Sequence, residues 1–238
     1  MELKPVRTND PNLGRGYADD AVVRSAEGQK VLRNTYMLLA LTMVPTTIGA
    51  WIGTQTAGIL MASPMISFLV MLGGVIGLQF AIARYRNSGI GVALLLLMTG
   101  LLGWWLGPLL NVALSMANGM QLVGYAAVGT GVIFFSMGAI ASTSKRDFSF
   151  MGKFLFVGMI ALLVAIIANM FLQIPALALT ISTLVIVVFS LFLLYDLQRI
   201  MRGGETNYIM ATTGVYMSLF NIFANLLHLL LALAGNRE

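Results

Sequence analysis

The chain has 238 residues, 58% of them hydrophobic and only 10% charged, with a mean hydropathy of +0.88; a soluble domain averages about 25% charged, so this is an integral membrane protein. It contains no cysteine, which excludes disulfides, thiolate nucleophiles, iron–sulfur clusters and cysteine–zinc sites and leaves no cofactor implied. The net charge of +5 and pI near 9.7 raise a nucleic-acid partner as an option until the basic residues are placed.

Residues 1–34 mix both charge signs with Gly, Pro and Asn and hold no apolar run. They read as a mobile cytoplasmic tail, and residues 35–238 as one membrane domain. The acids scattered through the tail, and the lack of a short apolar core before a small-residue cleavage site, argue against a cleavable signal peptide.

A hydrocarbon core about 30 Å thick needs about 20 apolar residues per helical crossing. Seven such segments follow: Tyr36 to Gly53, Met65 to Ala83, Gly89 to Leu106, Met120 to Ala141, Phe154 to Leu172, Leu177 to Tyr195 and Ile209 to Ala234. None shows the period-two alternation of a barrel strand, so the fold expected is an all-α bundle of seven transmembrane helices. Pro45 removes a hydrogen bond to the Leu41 carbonyl inside the first span, with Thr42, Thr46 and Thr47 near enough to compensate. Gly49 and Gly53, Gly73 and Gly77, and Gly103 and Gly107 have the spacing that lets helices approach closely. Trp104 and Trp105, beside the expected loop GPLLNVALSMANG, read as interfacial anchors. Pro175 opens the sixth span, where a missing N–H costs nothing.

Of the 14 Lys and Arg, six lie in the tail and seven in three connections, at Arg84, Arg86, Lys145, Arg146, Lys153, Arg199 and Arg202; Arg237 alone falls on the other side. Basic residues beside short loops stay in the cytoplasm, which predicts a cytoplasmic N-terminus and a periplasmic C-terminus. The high pI thereby follows from topology, and no aromatic–basic platform points to nucleic acid.

The last segment carries Thr212, Thr213, Ser218, Asn221, Asn225 and His228, polar groups that belong against protein or water. Ser218, Asn221, Asn225 and His228 fall on one helical face, as a site lining or as interhelical glue. Catalysis finds little support. His228 has no metal-ligand companion, no G-x-S-x-G elbow exists, and Tyr195-Asp196 is half of an aspartyl-protease signature whose second carboxylate is missing.

Asp196 stands about 9 Å inside the end of the sixth helix if that helix stops at Gly203-Gly204, where glycine can take the left-handed cap. A carboxylate there must be paired, protonated or facing water. Arg199, at i+3, is the partner on the same face. An interfacial ion pair and a titrating acid in a bundle pocket both fit these residues.

The segments GIGVALLLLMTGLLGWWLGPLLN, KRDFSFMGKFLFVGMIALLVAIIANMFLQIPALAL and LFLLYDLQRI resemble the Bax inhibitor-1 family in order and spacing. The turn at Leu106 to Leu110, the D-x-S-x-x-G motif at Asp147, Ser149 and Gly152, and the YDLQ ending occur together. KVLRNTYMLLALT and RGGETNYI resemble its bacterial YccA-like branch. The resemblance implies a seven-helix bundle with the last helix central, in a bacterial inner membrane. In much of that family an aspartate matching Asp196 pairs with another in the last helix, forming a pH-sensitive latch over a calcium leak. Ser218 occupies the second position here, so no shared-proton pair can form; Asp196, Arg199, Ser218 and Asn221 remain the candidate pore or pH-sensing residues, for a proton or calcium. The branch itself is associated with the membrane-anchored AAA protease FtsH. The tail, with Met1, Lys4, Arg7, Arg24 and Lys30, would serve that protease as a handle.

Overall fold

Apolar runs this long can satisfy their backbone groups only within themselves, and the chain resolves them as helices. The computed structural model describes residues 11–235, with side chains from residue 28 onward. In chain order the helices are α1 (Pro11–Gln55), α2 (Ala57–Ala62), α3 (Pro64–Arg84), α4 (Gly89–Ser115), α5 (Gly119–Thr143), α6 (Met151–Leu172), α7 (Pro175–Met201) and α8 (Tyr208–Gly235). Seven are long and apolar enough to span a membrane, α1 from Gly28 and every other except the six-residue α2. This is an all-α, multi-span membrane protein.

Helix α8 is the hub. It packs against α1, α3, α4, α5 and α7, while α6 sits at the rim on α7. The main core joins Leu95 and Met98 of α4, Leu193 and Leu197 of α7, and Val215 and Ile222 of α8. Outside, Trp51, Phe80, Phe135, Phe154 and Phe171 are exposed, as side chains facing hydrocarbon must be.

The α1–α4 seam is made by backbone. A Cβ on Gly49 would land on the Gly100 carbonyl, one on Gly103 on the Thr46 carbonyl, and one on Gly107 on Gly53. Gly73 and Gly77 differ: nothing lies within 4 Å of where their Cβ atoms would go.

Three expectations change. Helix α1 begins at Pro11, inside the stretch read as a mobile tail with helix only near its end, where Ala, Glu, Gln, Lys and Arg all favour helix. From Gly28, which abuts the Ile200 and Met201 carbonyls, that stretch packs on the bundle, with Val31 and Leu32 against the core. Met1, Lys4 and Arg7 lie outside the described residues, as does the Arg24 side chain. Helix α4 runs through Pro108 to Ser115 where a loop was expected, because a membrane helix absorbs a proline when neighbours cover the freed carbonyl. That carbonyl, of Trp104, lies where a Cβ on Gly53 would go. The indole N–H of Trp104 donates to Thr56 Oγ1 at 2.8 Å. Finally, Thr46 and Thr47 donate to the carbonyls of Thr42 and Met43, and Thr42 to that of Leu39; none takes up the Leu41 carbonyl freed by Pro45.

Candidate functional site at the basic end of the bundle

Alternation of the helices brings the start of the first span, at Gly28, and the α3–α4, α5–α6 and α7–α8 connections to one end, which carries the basic residues. The α7–α8 connection organises it. Helix α7 stops as its glycines require: Gly203 adopts φ 72°, Gly203 N–H donates to Ile200 O at 3.1 Å and Gly204 N–H to Arg199 O at 2.8 Å, the paired closing bonds of a Schellman cap. Asn207 then starts α8, its Oδ1 accepting from Ile209 and Met210 N–H at 3.0 and 3.1 Å.

Beneath this connection lies a cavity of about 300 Å³ between α3, α6, α7 and α8. Its polar lining is Gln79, Asp196, Arg199, Glu205, Thr213 and Ser218, set among Met159, Phe189, Phe192, Met210 and Met217. Asp196, Arg199 and Ser218 are thus brought together. Asn221 is not: its amide donates to the Met217 carbonyl of its own helix at 2.8 Å.

The expected Asp196–Arg199 pair gives way to another. The Arg199 guanidinium lies 3.2 Å from a Glu205 carboxylate oxygen and its Nε donates to Gly204 O at 3.3 Å. The turn at Gly203 carries Glu205 back over the end of α7, within reach of the longer arginine side chain. Asp196 instead points at α8, where a Cβ on Gly214 would stand 2.7 Å from its Oδ2. No hydrogen bond joins Asp196 to Ser218, which is 2% exposed. The carboxylate has a glycine-made recess and the cavity, and no cation within ion-pair distance among the described residues.

The remaining polar groups of α8 serve packing. Asn225 donates to Asn221 O at 2.9 Å, Thr213 to Ile209 O at 2.8 Å, and His228 Nδ1 shares a hydrogen bond of 2.9 Å with Ser182 of α7. Tyr216 shares one of 2.8 Å with Thr46 of α1, at the edge of a second, mostly apolar cavity of about 420 Å³ between α1, α4, α5 and α8.

Sequence reasoning missed Gln198. It is 2% exposed, and its amide clamps the α5–α6 connection: Oε1 accepts from Phe148 N–H and Nε2 donates to Arg146 O, both at 2.8 Å. Arg202 reinforces the clamp through Arg146 O at 2.7 Å and Ser144 O at 3.3 Å, and stands 3.8 Å from Asp147. The two motifs D-x-S-x-x-G and YDLQ meet in a surface pocket of about 200 Å³, lined by Asp147, Ser149, Tyr195, Gln198, Arg199, Arg202 and Gly204. Tyr195 covers Gly152, where a Cβ would come within 3.0 Å of its ring. The Ser149 hydroxyl, then its amide, then Arg202 hold the Asp147 carboxyl below the usual carboxylate range. The available signal was position: a glutamine two residues beyond Asp196, at the buried end of an apolar helix, must find partners.

A family model described as "Inhibitor of apoptosis-promoting Bax1" matches residues 28–236. A Vibrio cholerae relative named "Uncharacterized membrane protein" is 41% identical over 207 residues, 87% of this chain and 91% of that one. An Escherichia coli K12 relative named "Modulator of FtsH protease YccA" is 41% identical over 201 residues, 84% of this chain and 89% of its own. A Neisseria meningitidis serogroup A relative is 37% identical over 219 residues, 91% of this chain and 96% of that one. With the central polar helix, the α7 carboxylate and the two signature motifs gathered at one end of seven spans, the chain belongs to the Bax inhibitor-1 family.

Proposed function

We propose that this chain is a non-enzymatic inner-membrane protein that modulates a membrane-anchored AAA protease of the FtsH type in membrane-protein quality control. It binds the protease through its spans and presents, on the cytoplasmic side, the part of its N-terminal tail that precedes Gly28, where packing on the bundle begins. The observation that carries this reading is the 41% identity, over most of both chains, with the protein named for modulating that protease. The charged tail supports it, since an ATP-driven protease starts on an accessible segment. Co-purification in mild detergent tests it. Association with the protease, and slower turnover of its other substrates when this protein is overproduced, is expected; no association with unchanged turnover overturns it.

A second reading is a pH-sensitive calcium or cation leak at Asp196. It is favoured by one observation: this carboxylate lines a cavity, with no hydrogen bond or ion pair to it among the described residues. Against it stands Ser218 in place of a second carboxylate, and a hard cation prefers six to eight oxygen ligands. Calcium flux in proteoliposomes, compared between the wild type, Asp196→Asn and Ser218→Asp, decides it; absence of flux at every pH removes the reading.

A further inference from the structure

We propose that the basic end of the bundle is a preformed binding surface for the phosphate headgroups of anionic phospholipids, held in one arrangement by side chains at the α7–α8 connection. The inference goes beyond the protease reading and stands independently of it.

Charge is the first argument. Arg84, Arg86, Lys145, Arg146 and Lys153 are exposed, and none takes part in the two ion pairs found among the described residues. Among the described side chains, the opposing acids at this surface are Asp147 and Glu205. Both are already engaged: Asp147 lies 3.8 Å from Arg202 and accepts from Ser149, and Glu205 lies 3.2 Å from Arg199. The excess is positive, which anionic headgroups complement at about 1 kcal/mol per cation near a membrane surface.

Fixation is the second. The carbonyl of Arg146 accepts from both Gln198 and Arg202, at 2.8 and 2.7 Å, and that of Arg86 accepts from Asn207 at 2.8 Å. The gripped backbone therefore belongs to two of the five cations, Arg86 and Arg146, whose side chains remain exposed. Charge asymmetry alone needs no such grip; a surface that presents cations at set positions does.

Depth is the third. Tyr85, between Arg84 and Arg86 at the end of α3, is 46% exposed. A tyrosine so placed belongs to the interfacial layer where helix ends leave hydrocarbon. The cations on either side of it stand at headgroup level, which favours lipid over an acidic protein surface reaching in from the water.

The test uses the full chain in nanodiscs of phosphatidylcholine alone or mixed with phosphatidylglycerol, reading the lipids retained after mild extraction by native mass spectrometry. Selective retention of phosphatidylglycerol is expected. The variant Lys145→Gln/Arg146→Gln/Lys153→Gln should lose that preference by roughly fivefold per charge removed. Gln198→Ala, which keeps every charge, should also weaken it, and circular dichroism identifies any variant that fails to fold. Equal retention of both lipids, or an unchanged triple variant, overturns the proposal. So does loss of the preference when inorganic phosphate is added, which marks a free-anion site, or binding of polyglutamate with no lipid preference, which marks an acidic protein partner. Full preference in folded Gln198→Ala overturns the fixed arrangement.

Discussion

On α4, Gly103 and Gly107 press into α1 so closely that a Cβ at either would meet the backbone of Thr46 or Gly53. On the neighbouring α3, Gly73 and Gly77 have the same spacing and are exposed, with nothing within 4 Å of their would-be Cβ atoms. Small-xxx-small spacing therefore permits close approach without producing it. On α1, Gly49 and Gly53 face α4 and complete the seam; α3 meets no matching pair on its glycine face.

Disrupting the tight side should do the most damage. Gly107→Ala puts a methyl group onto the Gly53 backbone, which can yield only if α1 and α4 separate, and such overpacking should cost about 3 kcal/mol or more; a lowered thermal midpoint in detergent reads it. Next in size, Gln198→Ala probes a contact made by a buried side chain rather than by bare backbone. It strands the Phe148 N–H and withdraws one donor from Arg146 O, at about 1–3 kcal/mol, and faster proteolysis of the α5–α6 connection should report the loosened clamp. A substitution on the open side should matter least. Gly77→Ala meets nothing and gains helix propensity, so stability should rise by about 0.5–1 kcal/mol; a fall in the thermal midpoint would show that this face is occupied after all.

Features set by local pattern were legible in the sequence. The seven spans emerged from run length, Pro175 from its place at a helix start, and the end of α7 from Gly203-Gly204. Features set by which neighbour occupies a face were not. Arg199 has the right spacing for Asp196, yet the turn delivers Glu205 to it. Ser218 and Asn221 share a helical face, but only Ser218 reaches the cavity, because Asn221 satisfies its amide on its own backbone. Gly214 carried no warning of its role, since the need for a missing Cβ arises only once Asp196 is seen to point at it. Spacing gives an angle around one helix axis; partners depend on the positions of the other axes.

Most helix contacts form by freezing side chains into single rotamers, at up to about 2 kcal/mol for each long one. Glycine has no rotamer to lose, and at Gly49, Gly53, Gly103 and Gly107 the meeting surfaces are peptide groups already immobilised within their helices. Docking α1 on α4 there costs no side-chain entropy, so the dispersion gained along this seam is retained almost undiminished as stability.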